Sequence, residues 1–280
     1  MQKETYCGEV GVVAGFLVGQ GSDQDSQFTK VKAALSQVVA NFPIAQEAKF
    51  HITDLSEAEK HKIRNKTFAV LKAHRIPLSF GAIYVDGFNR VYEDSKDKYL
   101  RMVKAARSND IGLTKNYGPP LLHAELFFTF FGKAIDFLVT TKLVANTIVV
   151  ITDKIDASIK KEYMRQIERL QNISLPRTKN WSEFDYSTKT NAHRNITISI
   201  QSDNPVYPIV KATKCTVAII HNALTIAADV LSNSVRHCLE KFALASEFGA
   251  LNTRTAIQNH PLCDQFVGMH DDLNWACMTI

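Results

Sequence analysis

The sequence predicts an α/β protein, a mixed sheet flanked by helices. Three observations predict it. Short apolar runs rich in β-branched residues recur at Val10–Val18 (VGVVAGFLV), Leu78–Val85 (LSFGAIYV) and Asn146–Ile151 (NTIVVI). Segments between them carry apolar residues at helical spacing. No internal repeat or low-complexity linker interrupts this alternation, and strands alternating with helices indicate layered α/β architecture.

Val10–Val18 reads as a buried strand, followed by a polar loop, Gly19–Ser26. Phe28–Val39 is helical, with Val31, Leu35 and Val38 or Val39 on one side. Ala48–Ile52 is a short strand-like piece bearing His51. Ser56-Glu57-Ala58-Glu59 is a capping box that opens a helix running to about His74. Pro77 stops that helix, and the Leu78–Val85 strand follows. Asp94–Ala106 reads as helix and Asn109–Pro120, with two Gly and two Pro, as loop. Leu121–Leu143 is an apolar, aromatic helix. Asn146–Ile151 is apolar on both faces, as a central strand covered by helices would be. Ile159, Tyr163, Ile167 and Leu170 mark another helix, with Asp156 or Ser158 as its cap. Pro176–Arg194 is polar and reads as an insertion or lid, and Asn195–Ile200 as a strand. Cys215–Phe242 reads as one long amphipathic helix with Val217, Ile220, Leu224, Ala228, Leu231, Val235 and Leu239 in its apolar stripe. The remainder is irregular, so one domain over residues 1–245 with an extension, 246–280, packed upon it is the economical reading.

Composition narrows the function classes. With 33 basic against 28 acidic residues the net charge is +5, compatible with a nucleic-acid partner without demanding one. Five cysteines, Cys7, Cys215, Cys238, Cys263 and Cys277, form no CxxC pair, so neither a disulfide framework nor a zinc ribbon is expected. Reduced thiols, a polar start (Met1-Gln2-Lys3-Glu4) and no apolar run of spanning length make a cytoplasmic protein with no membrane segment the expectation. There is no GxxxxGK[ST], GxGxxG or GxSxG motif.

Asp153 is the first candidate for chemistry. It lies two residues past the apolar strand, where open α/β sheets bind ligands. Asp156 follows, with helix capping as its plainer role. His51 and Asp54, three apart before a capped helix, could face a metal or polarise a water. The plainer account makes Asp54 a turn cap and His51 a partly buried, hydrogen-bonded side chain. Asp229 follows two alanines that would let a helix approach a sheet closely. Periodicity alone places Asp229 with Asn222, Thr225, Asn233 and Arg236 on a solvated stripe. Residues His260–His270, with Cys263, Asp264, Asp271 and Asp272, are dense in potential ligands but lack regular spacing.

VVAGFL (Val12–Leu17), FHITDL (Phe50–Leu55), ITD (Ile151–Asp153) and AADVL (Ala227–Leu231) form an ordered set spanning about residues 4–240. That set resembles the family catalogued as domain of unknown function 3800, a ribonuclease H-like fold. The resemblance implies a metal-dependent nuclease, in defence or mobile-element biology, with carboxylates holding Mg2+ or Mn2+. Its ligands here would be Glu4, Asp153 and Asp229, with His51 as a proton-transfer or phosphate-contacting group and Glu9, Asp54 and Asp156 as secondary candidates. Two positions depart from the pattern: Lys3 stands where an acid is expected, and Ile226 where a glutamine is. A degenerate member, binding a protein or nucleic acid as a subunit of a larger assembly or as a homo-oligomer, is the alternative. Its surface would be Leu126–Phe131 (LFFTFF). A hydrolase or transferase for a small phosphorylated ligand, closed by Pro176–Arg194, is a third reading.

Overall fold

The computed structural model describes residues 10–19, 26–42, 51–108, 121–143, 146–153, 155–172, 177–185, 190–198, 206–240 and 253–268. In chain order the elements are β1 (Val10–Phe16), α1 (Gln27–Ala40), a 3-10 turn (Ile52–Asp54), α2 (Glu57–Ala73), β2 (Leu78–Tyr84), α3 (Val85–Ser108) and α4 (Leu122–Thr140). Next come β3 (Thr147–Thr152), α5 (Ala157–Gln171), β4 (Arg177–Asp185), β5 (Thr190–Ile198), α6 (Val206–Ala212), β6 (Lys214–Ile219), α7 (Ala223–Glu240) and α8 (Thr253–Ile257). The class is α/β.

The described strands form three separate pairs rather than one mixed sheet. β1 runs antiparallel to β2, with Val10 opposite Tyr84 and Phe16 opposite Leu78. β3 runs parallel to β6, Thr147 opposite Lys214 and Thr152 opposite Ile219. β4 and β5 form an antiparallel hairpin. One contact shows why β1 ends its sheet. The Ser232 hydroxyl of α7 accepts the Ala14 N–H at 3.0 Å and donates to the Ala14 carbonyl at 3.3 Å. Both outward groups at Ala14 are thus satisfied by a helix where a further strand would have to pair.

Two cores result. In the first, Val31, Leu35, Ile63, Leu71, Phe80 and Leu231 bring α1, α2, β2 and α7 together. The C-terminal stretch belongs to it: Ile257, Leu262 and Phe266 are buried, and the Val267 N–H donates to the Leu78 carbonyl at 2.8 Å. In the second core, Phe127, Tyr163, Ile167 and Val217 join α4, α5 and β6, with the Phe127 and Tyr163 rings stacked at 4.0 Å. α4 crosses β2 at Gly81, where a Cβ would collide with the Leu126 carbonyl. Leu126, Phe127 and Phe131 are buried here, so this half of the LFFTFF segment is core. Among the described residues no helix is long and apolar enough to cross a membrane.

Several expectations change. The long helix over Cys215–Phe242 is a strand, a turn and a helix, because Asn222 starts α7 afresh. Its side-chain carbonyl accepts the N–H groups of Leu224 at 2.9 Å and Thr225 at 3.2 Å. The stretch before it, Thr216-Val217-Ala218-Ile219-Ile220, is β-branched enough to extend, and a short apolar run fits either period. Residues within Pro176–Arg194 form most of the β4–β5 hairpin. Ile52 opens a 3-10 turn instead of ending a strand, residues 48–50 lying outside the described set. α3 begins directly after β2, nine residues before the expected Asp94. β3 is only partly covered: Ile148 and Val150 pack on the second core and Ile151 on the first, while Val149 is 47% exposed.

Candidate acidic site beyond the parallel strands

β3 and β6 are parallel neighbours, so their carboxyl ends open on the same side. The Ile220 N–H donates to the Thr152 carbonyl at 2.9 Å and carries the pairing one step further. Asp153 and His221 therefore leave adjacent strands together. The Asp153 Oδ1 lies 2.9 Å from His221 Nδ1, and both side chains are about three-quarters shielded. A carboxylate only accepts, so Nδ1 is the donor, and the neutral ring then carries its lone pair on Nε2. That Nε2 atom is buried without a hydrogen-bond partner among the described residues. Leaving such a group unmatched costs about 1–3 kcal/mol.

Asp229 comes to the same region from α7. Its Oδ2 accepts the Ile52 N–H at 2.9 Å. Burial pushes the Asp229 carboxyl above the ordinary carboxylate range, and the nearby charges of Asp153 and Asp54 push it the same way. The Ile52 N–H and the His51 ring oppose the shift. The expected solvated stripe is thus wrong at this position. α7 is enclosed on more than one side: Thr225, Ile226, Ala227 and Val230 are buried, and Asn233 accepts Arg64 Nη2 at 3.3 Å. Asp229 is held between helix and turn.

The FHITDL segment divides. Asp54 Oδ2 accepts the His51 N–H at 2.9 Å, the turn-capping role expected from the plainer account. His51 is exposed rather than partly buried, and reaches the site through its charge on Asp229. Asp156 occupies the cap position of α5, yet its side chain makes no capping hydrogen bond and is exposed. Glu4 and Glu9 lie outside the described residues, as do Lys154 and His270. Among the described residues His260 belongs to no ligand cluster. Its ring is buried, with Nε2 3.1 Å from Ser234 Oγ and Nδ1 accepting the Leu262 N–H at 3.1 Å.

Four sequence candidates, His51, Asp54, Asp153 and Asp229, share one electrostatic neighbourhood although they come from three parts of the chain. His221 was not among them. Its signal, a polar residue just past a strand end, was hidden because its surroundings read as helix interior.

Among the described residues no three His, Cys, Asp or Glu side chains converge as a ready-made metal cage. A hard divalent ion does not require one, since such ions are often held by one or two carboxylates, with water and substrate phosphates completing the shell. Asp229 is a half-buried carboxylate whose pKa the charges of Asp153 and Asp54 help to raise, and His221 Nε2 has no hydrogen-bond partner among the described residues. Compared with known proteins, the chain matches no family model, no curated protein and no solved structure.

Proposed function

We propose that this chain is a nuclease of the ribonuclease H-like class, hydrolysing phosphodiesters with Mg2+ or Mn2+. What supports the reading is that Asp153, at the carboxyl end of β3, lies near enough to Asp229 of α7 for its charge to add to the burial that raises the Asp229 carboxyl. A bound cation relieves the mutual repulsion of acids in a partly shielded place. An antiparallel pair first, a parallel pair with an acid at its end and a late helix with a second acid also follow the order of motifs in the sequence.

Asp229 and the Asp153–His221 pair would hold the ion, with Glu4 or Glu9 as a further ligand. The ion would lower the pKa of a water and neutralise charge on the phosphodiester. The chain's own groups do the rest. The Ile52 N–H fixes the direction of the Asp229 carboxylate, and Asp153 fixes the His221 ring. His51, exposed beside this cluster, would meet a phosphate or move a proton. The net charge of +5 favours a polyanionic substrate.

Incubation of labelled single- and double-stranded DNA and RNA with the full chain and Mn2+ tests the reading. Cleavage that chelator abolishes and Asp229→Asn reduces by at least about a hundredfold is expected. Absence of metal-dependent cleavage on all four substrates would count against it.

A further inference from the structure

We infer that the exposed cations of α5 and the basic face of the β4–β5 hairpin form one binding surface for single-stranded nucleic acid, with Trp181 as its base-stacking platform. This rests on the nuclease reading for its choice of polymer, and it names the surface that holds the strand.

Lys161, Arg165 and Arg169 recur every four residues along α5, and all three are exposed. Residues four apart share a helix face. The opposite face is taken up by the second core through Tyr163 and Ile167. The stripe rises about 12 Å from Lys161 to Arg169. Arg165 is paired with Glu162 at 2.7 Å, yet its side chain is 69% exposed. A guanidinium carries five N–H donors, so this pairing leaves others for a phosphate. Arg165, Gln166, Glu168, Arg169 and Asn172 line an open groove toward the end of the helix.

The hairpin continues the surface. β4 starts five residues past Asn172, a stretch of chain that spans at most about 18 Å. Successive strand residues alternate between faces, so Arg177, Lys179 and Trp181 fall on one face. Their partners on that face are Ile198, Ile196 and Arg194. Three cations and one tryptophan thus share the rungs at the open end of the ribbon. Glu183 and Asp185 follow on the same face toward the turn, which confines the basic part to the end joined to α5. Among the described residues the other face holds no Lys, Arg, Asp or Glu. Among the described elements neither strand packs broadly on anything but the other.

Cations spaced along a path match the charge of a polynucleotide backbone. The tryptophan among them selects the single strand, because unpaired bases are free to stack on an aromatic ring whereas duplex bases are stacked on each other.

The test is fluorescence anisotropy of the full chain in chelator. The probes are labelled oligothymidylate and oligouridylate longer than about 16 nucleotides, with a duplex of equal length beside them. The wild type should bind a single strand, log K falling with log salt by about 0.7 per phosphate contacted. Lys161→Gln, Arg165→Gln and Arg169→Gln combined should flatten that slope by about 2. Trp181→Ala should weaken binding about 5–150-fold and leave the slope alone. Trp181→Phe, which keeps an aromatic ring in the ribbon, should retain most of the affinity, so a hairpin lost in the alanine variant does not decide the matter. No single-strand binding at low salt, a duplex bound more tightly than the single strand, or a slope that the combined variant leaves unchanged overturns the proposal. Binding in chelator is separate from cleavage. A chain that binds as described but never cleaves keeps this surface and loses the nuclease reading. A chain that cleaves with metal while its variants bind as the wild type does keeps the nuclease reading and loses this surface.

Discussion

The Asp229 carboxylate accepts the backbone N–H of Ile52 at 2.9 Å, tying α7 to a turn 177 residues earlier in the chain. This bond brings two separate sequence motifs to one place. It also sets a conflict, because the half-buried carboxylate feels the charges of Asp153 and Asp54.

That conflict predicts a stability gain on removing the charge. The raised Asp229 pKa means that the folded state prefers the protonated form. Its contribution is full below the ordinary carboxylate pKa and is lost as pH rises through the elevated folded value. At neutral pH, Asp229→Asn keeps an acceptor for the Ile52 N–H and removes the repulsion. Thermal unfolding should show a higher midpoint for the variant in metal-free buffer, together with loss of Mn2+ stabilisation. A lower midpoint would mean that the carboxylate is a net structural asset.

Ser232 offers a test of how β1 is closed. Ser232→Ala leaves the Ala14 N–H and carbonyl without their partner in a half-buried place. Urea unfolding should show a loss of about 1–3 kcal/mol. An unchanged midpoint would indicate that another group or water serves that edge equally well.

His260 predicts a pH dependence of a different sign. Burial pulls its pKa down to about 4 from the ordinary 6.5, with the Arg64 charge adding to the shift. Its neutral form holds both the Ser234 hydroxyl and the Leu262 N–H. Stability from this group is complete above pH 6.5 and is lost as pH falls toward 4. The loss is on the order of 3 kcal/mol across that window. Urea midpoints measured from pH 7.5 down to 4.5 should fall steeply in the wild type and less so in His260→Gln.

Much of the frame was legible because local signals agreed with tertiary demands. The capping box at Ser56 and Glu59 forms as read, with the Glu59 carboxylate accepting the Ser56 N–H at 3.1 Å. Val10–Phe16 and Leu78–Tyr84 pair as strands, since their β-branched and aromatic runs have too few residues for a helix. Reading failed where two periods coincided. Val217, Ile220 and Leu224 fall at helical spacing but straddle a strand and a helix, and only Asn222 marks the boundary. Misplacing that boundary hid His221. Periodicity alone misread the surroundings of Asp229 for another reason. A polar stripe looks the same in sequence whether it faces water or a turn supplied from 177 residues away.

The central claim is that Asp153 and Asp229 belong to one cation site. Isothermal titration of Mn2+ into the wild type, Asp153→Asn and Asp229→Asn tests it most directly. The account predicts a saturable site in the wild type, weakened by about 10–100-fold in Asp153→Asn and lost in Asp229→Asn. Equal Mn2+ binding by all three proteins, or none by the wild type, would contradict it.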